Sequence, residues 1–422
     1  YLGHDSYYHL RYMLELFFPI LTIFIVFCIV EFITYSIISK VNKNFQWLIM
    51  QKDEIPVLSE SGLKKFLPHG FDPELGWIRK PNTSHEEIGK YGKTRWTINN
   101  SGARLNSDYD EKQSIISCYG DSFTFCRQVN DDETWEHYLS KKLKTNVKNF
   151  AVGNYGIDQA LLRLKRDFHD NRTPIVILAV VPDTISRIVS IWKHYYEYGN
   201  TFGFKPRFVI KNSKLELIKN PINEIQKFQN YQRYLTEIKQ NDFFYESKFK
   251  KEKLHFPYCI TIFKNVKRNF SLLYWNLLIE NKKKMNHDVS DISWNPMKII
   301  MKTNLEWRVR LFHDKMSVEL LKKIIEEYVK FGKENNFKPI FSFLPQKDDL
   351  IFIKNNYHFY NDLIKKLKNI ENLIFIDVTE KLLEESDLDI LYSDNNDYGG
   401  HYSKHGNEKV SSIFYSSLKN LT

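Results

Sequence analysis

The stretch Ser114–Phe123, which reads SIISCYGDSF, joins a β-prone apolar run to an abrupt turn. Residues 115–119 predict a strand, and Gly120, Asp121 and Ser122 are typical turn formers. Such a turn can present a serine hydroxyl at the carboxyl end of a strand, which is the edge where open α/β sheets bind their ligands. The stretch therefore predicts that Ser122 occupies a ligand-binding position, with an ordinary turn serine as the alternative.

A second chemical signal lies near the C-terminus, where residues 397–403 read DYGGHYS before a helical pattern. It contains an acid, Asp397, and a base, His401, and an early serine with a late acid and base are the three parts of a serine hydrolase. His405 is the rival base, but it directly precedes the start of the final predicted helix. We therefore favour His401, and an ordinary surface histidine remains the alternative.

Predicted strands and helices alternate on both sides of a central insertion, which indicates a parallel sheet with right-handed crossovers. The chain therefore predicts an α/β fold. The predicted strands are 115–119, 147–152, 174–181, 339–344 and 373–378, and the predicted helices are 132–143, 158–168, 318–335, 360–367 and 406–418.

Composition shifts predict five segments. The region between the two halves of the α/β pattern is rich in lysine and aromatic residues and predicts a mostly helical insertion. It could cover the site, meet a partner or be a solvated surface elaboration. The segments are 1–50 (N-terminal, with an apolar span), 51–113 (irregular lead-in), 114–200 (first half), 201–317 (insertion) and 318–422 (second half).

Residues Leu16–Ser39 carry a single charge, Glu31, in a run of Phe, Ile, Leu and Val. A helix needs roughly 20 apolar residues to cross a bilayer, so this run predicts a single-pass membrane anchor, with a buried core helix as the alternative. Glu31 is unusual because an acid within a span is costly and often faces a partner helix or a polar cavity. More lysines follow the span than precede it, which by the positive-inside rule favours a cytoplasmic main body.

The composition is that of a folded protein, with 42% hydrophobic and 27% charged residues. Lys and Arg (61) exceed Asp and Glu (51) by 10, but the lysines are dispersed, which disfavours nucleic acid as a partner. The four cysteines have no metal-site spacing and read as small buried hydrophobes.

The Gly120-Asp121-Ser122 turn and the late Asp/His pair together resemble the SGNH (GDSL-type) hydrolase superfamily over residues 114–200 and 318–420. Three further blocks resemble its membrane-linked bacterial members: 71–77 (FDPELGW), 100–104 (NSGAR) and 149–159 (NFAVGNYGIDQ). The resemblance implies a three-layer, flavodoxin-like fold. Here it would carry an N-terminal transmembrane helix and a helical insertion.

Carried over residue by residue, the resemblance implies that Ser122 is the nucleophile and His401 the general base. The family acid stands two or three residues before its histidine, where this chain has Tyr398 and Gly399, so Asp397 is the expected acid and Asp394 the fallback. A backbone N–H of Gly153 or Asn154 is the expected oxyanion donor.

The chain departs from the family at a second point. An oxyanion-hole asparagine is expected after the third strand, where this chain has Pro182 followed by Asp183. Neither side chain can donate as an amide does, and Arg187 is the candidate substitute.

These observations predict a membrane-anchored serine esterase or O-acyltransferase. The resemblance and the anchor imply that its substrate would be an ester-linked acyl group of a surface glycan, with acetyl as the expected acyl group and no metal or organic cofactor. The resemblance implies an extracytoplasmic soluble domain, membrane lipid around the anchor and a possible membrane-protein partner. The displaced acid, the missing asparagine and Glu31 support an alternative, a catalytically inactive SGNH-fold subunit of a membrane complex.

Overall fold

The computed structural model describes residues 2–44, 47–109, 114–419 and 421. The chain divides into two compact units, one running to Pro56 and including Glu246–Ile300, the other comprising Val57–Tyr245 and the chain from Met301 onward. Residues 201–245 of the predicted insertion therefore lie in the second unit, and residues 246–300 in the first.

The helices, in chain order, are α1 Leu2–Asn44, α2 Glu60–His69, α3 Trp135–Leu143, α4 Ile157–Asp167, α5 Thr184–Arg187, α6 Lys193–Tyr196, α7 Ile225–Gln229, α8 Leu235–Asn241, α9 Lys250–Glu252, α10 Tyr258–Thr261, α11 Val266–Lys284, α12 Asn295–His313, α13 Lys315–Asn335, α14 Lys347–Asn355, α15 Asn361–Leu367, α16 Thr379–Leu383 and α17 Lys404–Leu418. The strands are β1 Phe71–Asp72, β2 Gly76–Trp77, β3 Thr83–Gly89, β4 Gly92–Ile98, β5 Ser114–Gly120, β6 Asn146–Asn149, β7 Ile175–Val180, β8 Arg207–Lys211, β9 Lys214–Ile218, β10 Lys338–Phe343 and β11 Ile374–Asp377.

The central sheet has five strands in the order β6-β5-β7-β10-β11, and all neighbouring pairs are parallel. Numbered within the sheet, this is the order 2-1-3-4-5, which is the flavodoxin-like arrangement. The chain order reverses beside β5, so the switch point lies at the carboxyl end of the strand that precedes Ser122. The predicted α/β fold with a parallel sheet is confirmed.

Helices cover both faces of the sheet, which gives three layers. On one face α3 packs against α17, with the Trp135 and Phe414 rings stacked at 4.8 Å, and the core beneath them includes Ile116 and Ile177. On the other face α4 packs against α13, and the Tyr328 hydroxyl donates to the Val176 carbonyl oxygen at 2.7 Å. Burial of both faces explains why β7, at the centre of the sheet, is a continuous apolar run.

Three antiparallel strand pairs lie outside the predicted elements. The lead-in, which was expected to be irregular, contains β1–β2 and β3–β4, and the insertion contains β8–β9 where helices were expected. The β3–β4 hairpin lies against the loop that follows β5: a Cβ added at Gly89 would come within 2.2 Å of the Gln128 carbonyl oxygen. Only glycine allows the two backbones to come this close, and the close contact places β3 beside the candidate site.

In the other unit, one helix is long and apolar enough to cross a membrane. Its candidate span is Arg11–Lys43, within which an 18-residue window has a mean hydropathy of 2.7. Its side chains between residues 16 and 30 are almost all exposed. Glu31 is only 8% exposed, because its carboxylate accepts the backbone N–H groups of Tyr258 at 2.7 Å and Cys259 at 2.8 Å. The acid within the apolar run therefore caps the first turn of α10.

Candidate active site

Ser122 is the second residue after β5, and the turn that carries it is fixed by the carboxylate of Asp121. One oxygen of that carboxylate accepts the Phe123 N–H at 2.9 Å, and the other accepts the Val181 N–H at 2.8 Å. A Cβ at Gly120 would come within 1.9 Å of the Ala179 carbonyl oxygen, so the strand can approach β7 closely only with glycine there. Ser122 itself is 7% exposed and lines a cavity of about 960 Å³.

Arg104 holds the far end of the same loop. Its guanidinium donates to the carbonyl oxygens of Phe125 at 2.6 Å and Val129 at 2.7 Å, and also to that of Cys126. Its Nε donates to Asp131 at 2.8 Å. The loop thus receives buried, charge-assisted hydrogen bonds at one end and Asp121 contacts at the other, which keeps Ser122 in place.

His401 lies in the loop before α17 and lines the same cavity as Ser122. Its Nδ1 is 2.8 Å from Gln128 Oε1, and its backbone N–H donates to that oxygen at 3.0 Å. The backbone N–H can only donate, so this atom of Gln128 is the amide oxygen. Nδ1 must then carry the ring proton, and Nε2 retains the lone pair that a general base needs.

The carboxylates expected beside His401 lie elsewhere. Asp397 and Asp394 are exposed, and within the described parts of the chain neither forms a hydrogen bond or an ion pair with His401. The rival base His405 is exposed in the first turn of α17, with its ring 6.3 Å from that of Tyr91. The structure thus brings Ser122 and His401 to one cavity and places Gln128 where an acid was expected.

The predicted oxyanion residues also line the cavity. A Cβ added at Gly153 would lie 3.8 Å from the Ser122 Cβ, and the Gly153 carbonyl oxygen accepts the Trp77 indole N–H at 2.9 Å. Asn154 has a left-handed backbone, with φ +67°. In the described structure the N–H groups of Ser122, Gly153 and Asn154 have no hydrogen-bond acceptor. Unpaired N–H groups are what an oxyanion hole requires.

Arg187, the candidate substitute donor, has other partners. Its Nη1 donates to Asp121 Oδ2 at 3.1 Å and to the Tyr155 carbonyl oxygen at 2.9 Å, and its Nε donates to Asp183 Oδ2 at 3.2 Å. It is not among the residues that line the cavity. Arg187 therefore supports the nucleophile turn from behind, and Asp183 accepts its hydrogen bond.

The electrostatic environment keeps His401 neutral. Burial and the positive charge of Arg127 lower its pKa to about 3, and Glu87 opposes this only in part. Glu87, on β3, is bound by Arg127 Nε at 3.1 Å and by the Gln128 N–H at 3.2 Å. Although burial acts against it, the charge of Arg127 lowers the pKa of Glu87. The carboxylate of Glu87 is therefore already paired with the guanidinium of Arg127.

Sequence reasoning missed Gln128, Glu87 and Arg79, which all belong to the site. Gln128 is six residues after Ser122, but its contact with His401 spans most of the chain, and no local spacing reveals such a contact. Glu87 belongs to the unpredicted β3–β4 hairpin. Arg79 could have been noticed in the sequence, because it follows the FDPELGW block by two residues.

The described residues contain no group of three or more His, Cys, Asp or Glu side chains placed to hold a metal ion.

No protein-family model matches the chain, and no curated protein matches its sequence. Among solved structures, it is similar to a member of the lipolytic protein G-D-S-L family from Veillonella parvula, at 9% identity and a TM-score of 0.33, covering 72% of this chain and 97% of that one. It is also similar to a lipase/acylhydrolase from Enterococcus faecalis, at 12% identity and a TM-score of 0.33, covering 72% and 95%. At this identity the likeness concerns the fold, and no function follows from it.

Proposed function

We propose that this chain is a membrane-anchored serine esterase or O-acyltransferase that acts on ester-linked acyl groups of a surface glycan. One observation carries the proposal: Ser122, His401 and the N–H groups of Gly153 and Asn154 line a single cavity at the switch point of a parallel sheet. Ligands of open α/β sheets bind at that point. A nucleophile, a base and oxyanion donors are what acyl transfer needs.

In the proposed reaction, Ser122 Oγ attacks the ester carbonyl carbon while His401 Nε2 accepts the hydroxyl proton. The N–H groups of Ser122, Gly153 and Asn154 stabilise the tetrahedral oxyanion. As the intermediate collapses, the ester C–O bond breaks and the departing sugar oxygen takes the proton from His401. Water or a second sugar hydroxyl then attacks the acyl-enzyme, again with His401 as the base. Gln128 keeps the ring in the required tautomer throughout.

The anchor and the glycan are the finer parts of this proposal. The length and exposure of the apolar part of α1 support a single-pass anchor. In this proposal the cavity-bearing domain lies outside the cytoplasm, as the family resemblance implies. The indole and phenyl rings of Trp77, Trp96, Phe66 and Phe202 line the cavity, and flat apolar faces suit sugar rings. Neither a metal nor an organic cofactor is required for this chemistry.

Labelling with a fluorophosphonate serine probe tests the proposal on the full chain in detergent. We expect wild-type protein and an exposed-serine control, Ser416→Ala, to be labelled, and Ser122→Ala and His401→Ala to be unlabelled. Folding of each variant is checked by its thermal unfolding midpoint. Absence of labelling in folded wild-type protein would contradict an activated Ser122.

One observation favours a second function, that of a non-catalytic membrane-complex subunit. His401 has no carboxylate partner in the described chain, and its lowered pKa makes it a weak base. Under this alternative, Ser122→Ala would keep full biological function and the wild-type protein would resist the probe.

A further inference from the structure

The wall of the cavity has an unbalanced charge. Of the described residues that form it, none is Asp or Glu, while several are cations. These cations are Lys65, Arg79, Lys80, Arg127 and Lys193.

Two of these cations have partners outside the cavity wall. Arg127 binds Glu87 at 3.1 Å, and Lys193 forms an ion pair with Glu197 at 3.0 Å. For the others, Lys65, Arg79 and Lys80, the described structure contains no ion pair. The charge of Glu87 acts on Arg79, but Glu87 forms its ion pair with Arg127. The cavity wall therefore keeps an excess of positive charge.

Arg79 is the best defined of the three. Its guanidinium carbon lies 4.0 Å from the ring centroid of Trp96 and 4.0 Å from that of Phe125, so the group packs against both aromatic side chains. Its Nε is buried and has no hydrogen-bond partner in the described structure. Burial lowers the pKa of Arg79 to about 9, which leaves the group charged at neutral pH.

Arg79 also lies close to the nucleophile. Its Nη2 is 3.8 Å from the position that a Cβ on Gly153 would take, and the Ser122 Cβ is 3.8 Å from the same point. The guanidinium and the serine therefore flank Gly153. A group bound by Arg79 would sit beside an ester carbonyl at Ser122.

We propose that the cavity binds an ester substrate that carries a negative charge near the ester, and that Arg79 and Lys80 bind this charge. The inference rests on the proposed function and names its substrate class. The carboxylate whose charge acts most strongly on Arg79 is that of Glu87, which already pairs with Arg127. Because a desolvated guanidinium is costly unless its charge is well paired, an anionic ligand would stabilise Arg79 further. The planar fork of Arg suits the paired oxygens of a carboxylate or a phosphate, and either would satisfy it.

Equilibrium binding to the full chain with Ser122→Ala, in detergent, tests this proposal without turnover. The probes are acetyl esters of glucuronic acid, of glucose 6-phosphate and of glucose, which share a ring and an acyl group and differ in charge. We expect at least one anionic ester to bind about tenfold tighter than the neutral ester, with an advantage that declines as salt is added. The anionic ester that binds more tightly shows whether the cavity prefers a carboxylate or a phosphate.

Arg79→Gln and Lys80→Gln, each added to Ser122→Ala, should remove most of this advantage, because each lowers the affinity for the anionic ester more than that for the glucose ester. Lys93→Gln is the matched control, since Lys93 is an exposed cation on β4 outside the cavity. Equal binding of all three probes, or of none, would overturn the proposal. Fluorophosphonate labelling of Ser122 does not depend on substrate charge, so persistent labelling in that case would leave the proposed function intact.

Discussion

Gln128 Oε1 lies 2.8 Å from Nδ1 of His401 and accepts the backbone N–H of the same residue at 3.0 Å. A third donor, the Ser393 hydroxyl, approaches this oxygen at 2.8 Å. The amide can fix the tautomer and orientation of the imidazole as a triad carboxylate does, and papain-like proteases use an Asn in this way. Because the amide is neutral, it stabilises an imidazolium less than a carboxylate would, and burial and Arg127 lower the pKa of His401.

Either Gln128 or Asp397 could orient the His401 ring, and one variant of each residue distinguishes between these two possibilities. We expect Gln128→Leu to lower the rate of probe labelling by about 10²-fold or more, because the ring loses its tautomer and position. Asp397→Asn should change the rate by less than about twofold, since the exposed Asp397 makes no contact with His401. The rate of fluorophosphonate labelling measures both. A large loss in Asp397→Asn with none in Gln128→Leu would restore Asp397 as the acid.

Replacing Gln128 by Glu adds a negative charge beside Nδ1. The added carboxylate should raise the pKa of His401, since an opposite charge at this distance favours the imidazolium. We expect the acid limb of the pH–rate profile for labelling to move to higher pH. The profile of wild-type protein over the same pH range is the reference. An unchanged acid limb in a folded Gln128→Glu protein would contradict His401 as the titrating base.

The low pKa of His401 also predicts a pH-dependent stability. Its pKa is about 3 in the folded chain and 6.5 when unperturbed. Between these values the unfolded chain binds a proton that the folded chain does not. Lowering the pH from 6.5 towards 3 therefore removes stability, by up to about 1.4 kcal/mol per pH unit. The effect disappears in His401→Gln.

Thermal unfolding midpoints of wild type and His401→Gln, measured at pH 7.5, 6 and 5, test this linkage. The other histidines are common to both proteins and cancel in the difference. We expect the wild type to lose stability relative to the variant at each step below pH 6.5. A difference that stays constant with pH would show that His401 is not held neutral.

Most of the fold could be predicted from the sequence because the central strands are buried on both faces. Val176 and its neighbours in β7 have no polar alternation, and the amphipathic helices between strands repeat the βα pattern. The β3–β4 hairpin was harder to predict, since only one of its strands has a buried face: β3 contains no buried residue, whereas Trp96 on β4 is buried. Its pairing depends on contacts with the loop after β5.

Residues of the candidate site could be predicted only where a reactive side chain or a glycine lies in a turn that the local sequence indicates. Ser122, Gly153 and His401 each lie in a recognisable block. Gln128 and Arg79 do not, because their roles come from contacts between loops that are distant in sequence. The expected acid, Asp397, shows the limit of spacing as a guide: the loop that contains it turns through Gly399 and Gly400, both with positive φ, and leaves the carboxylate exposed.

Arg104 should be a major source of stability for the nucleophile loop. It is 3% exposed and donates to three carbonyl oxygens of that loop. We expect Arg104→Met to lower the free energy of unfolding by about 3 kcal/mol or more, since those carbonyl oxygens and Asp131 lose their donor. The control is Arg95→Met, an exposed arginine on β4, which should cost less than about 0.5 kcal/mol. Thermal unfolding of both variants in detergent decides whether the loss is specific to Arg104.

Glu31 should stabilise its unit through the two N–H groups that it accepts, although it lies within an apolar helix. Glu31→Leu makes that helix more apolar but leaves the Tyr258 and Cys259 N–H groups without this acceptor. We expect a loss of about 2 kcal/mol, and faster proteolysis near α10 in detergent. Phe32→Leu, at a neighbouring position that is 71% exposed, should change neither property. Glu31→Gln keeps one acceptor oxygen and should give an intermediate loss. Equal stability of Glu31→Leu and wild type would mean that the carboxylate serves another purpose, such as contact with a partner helix.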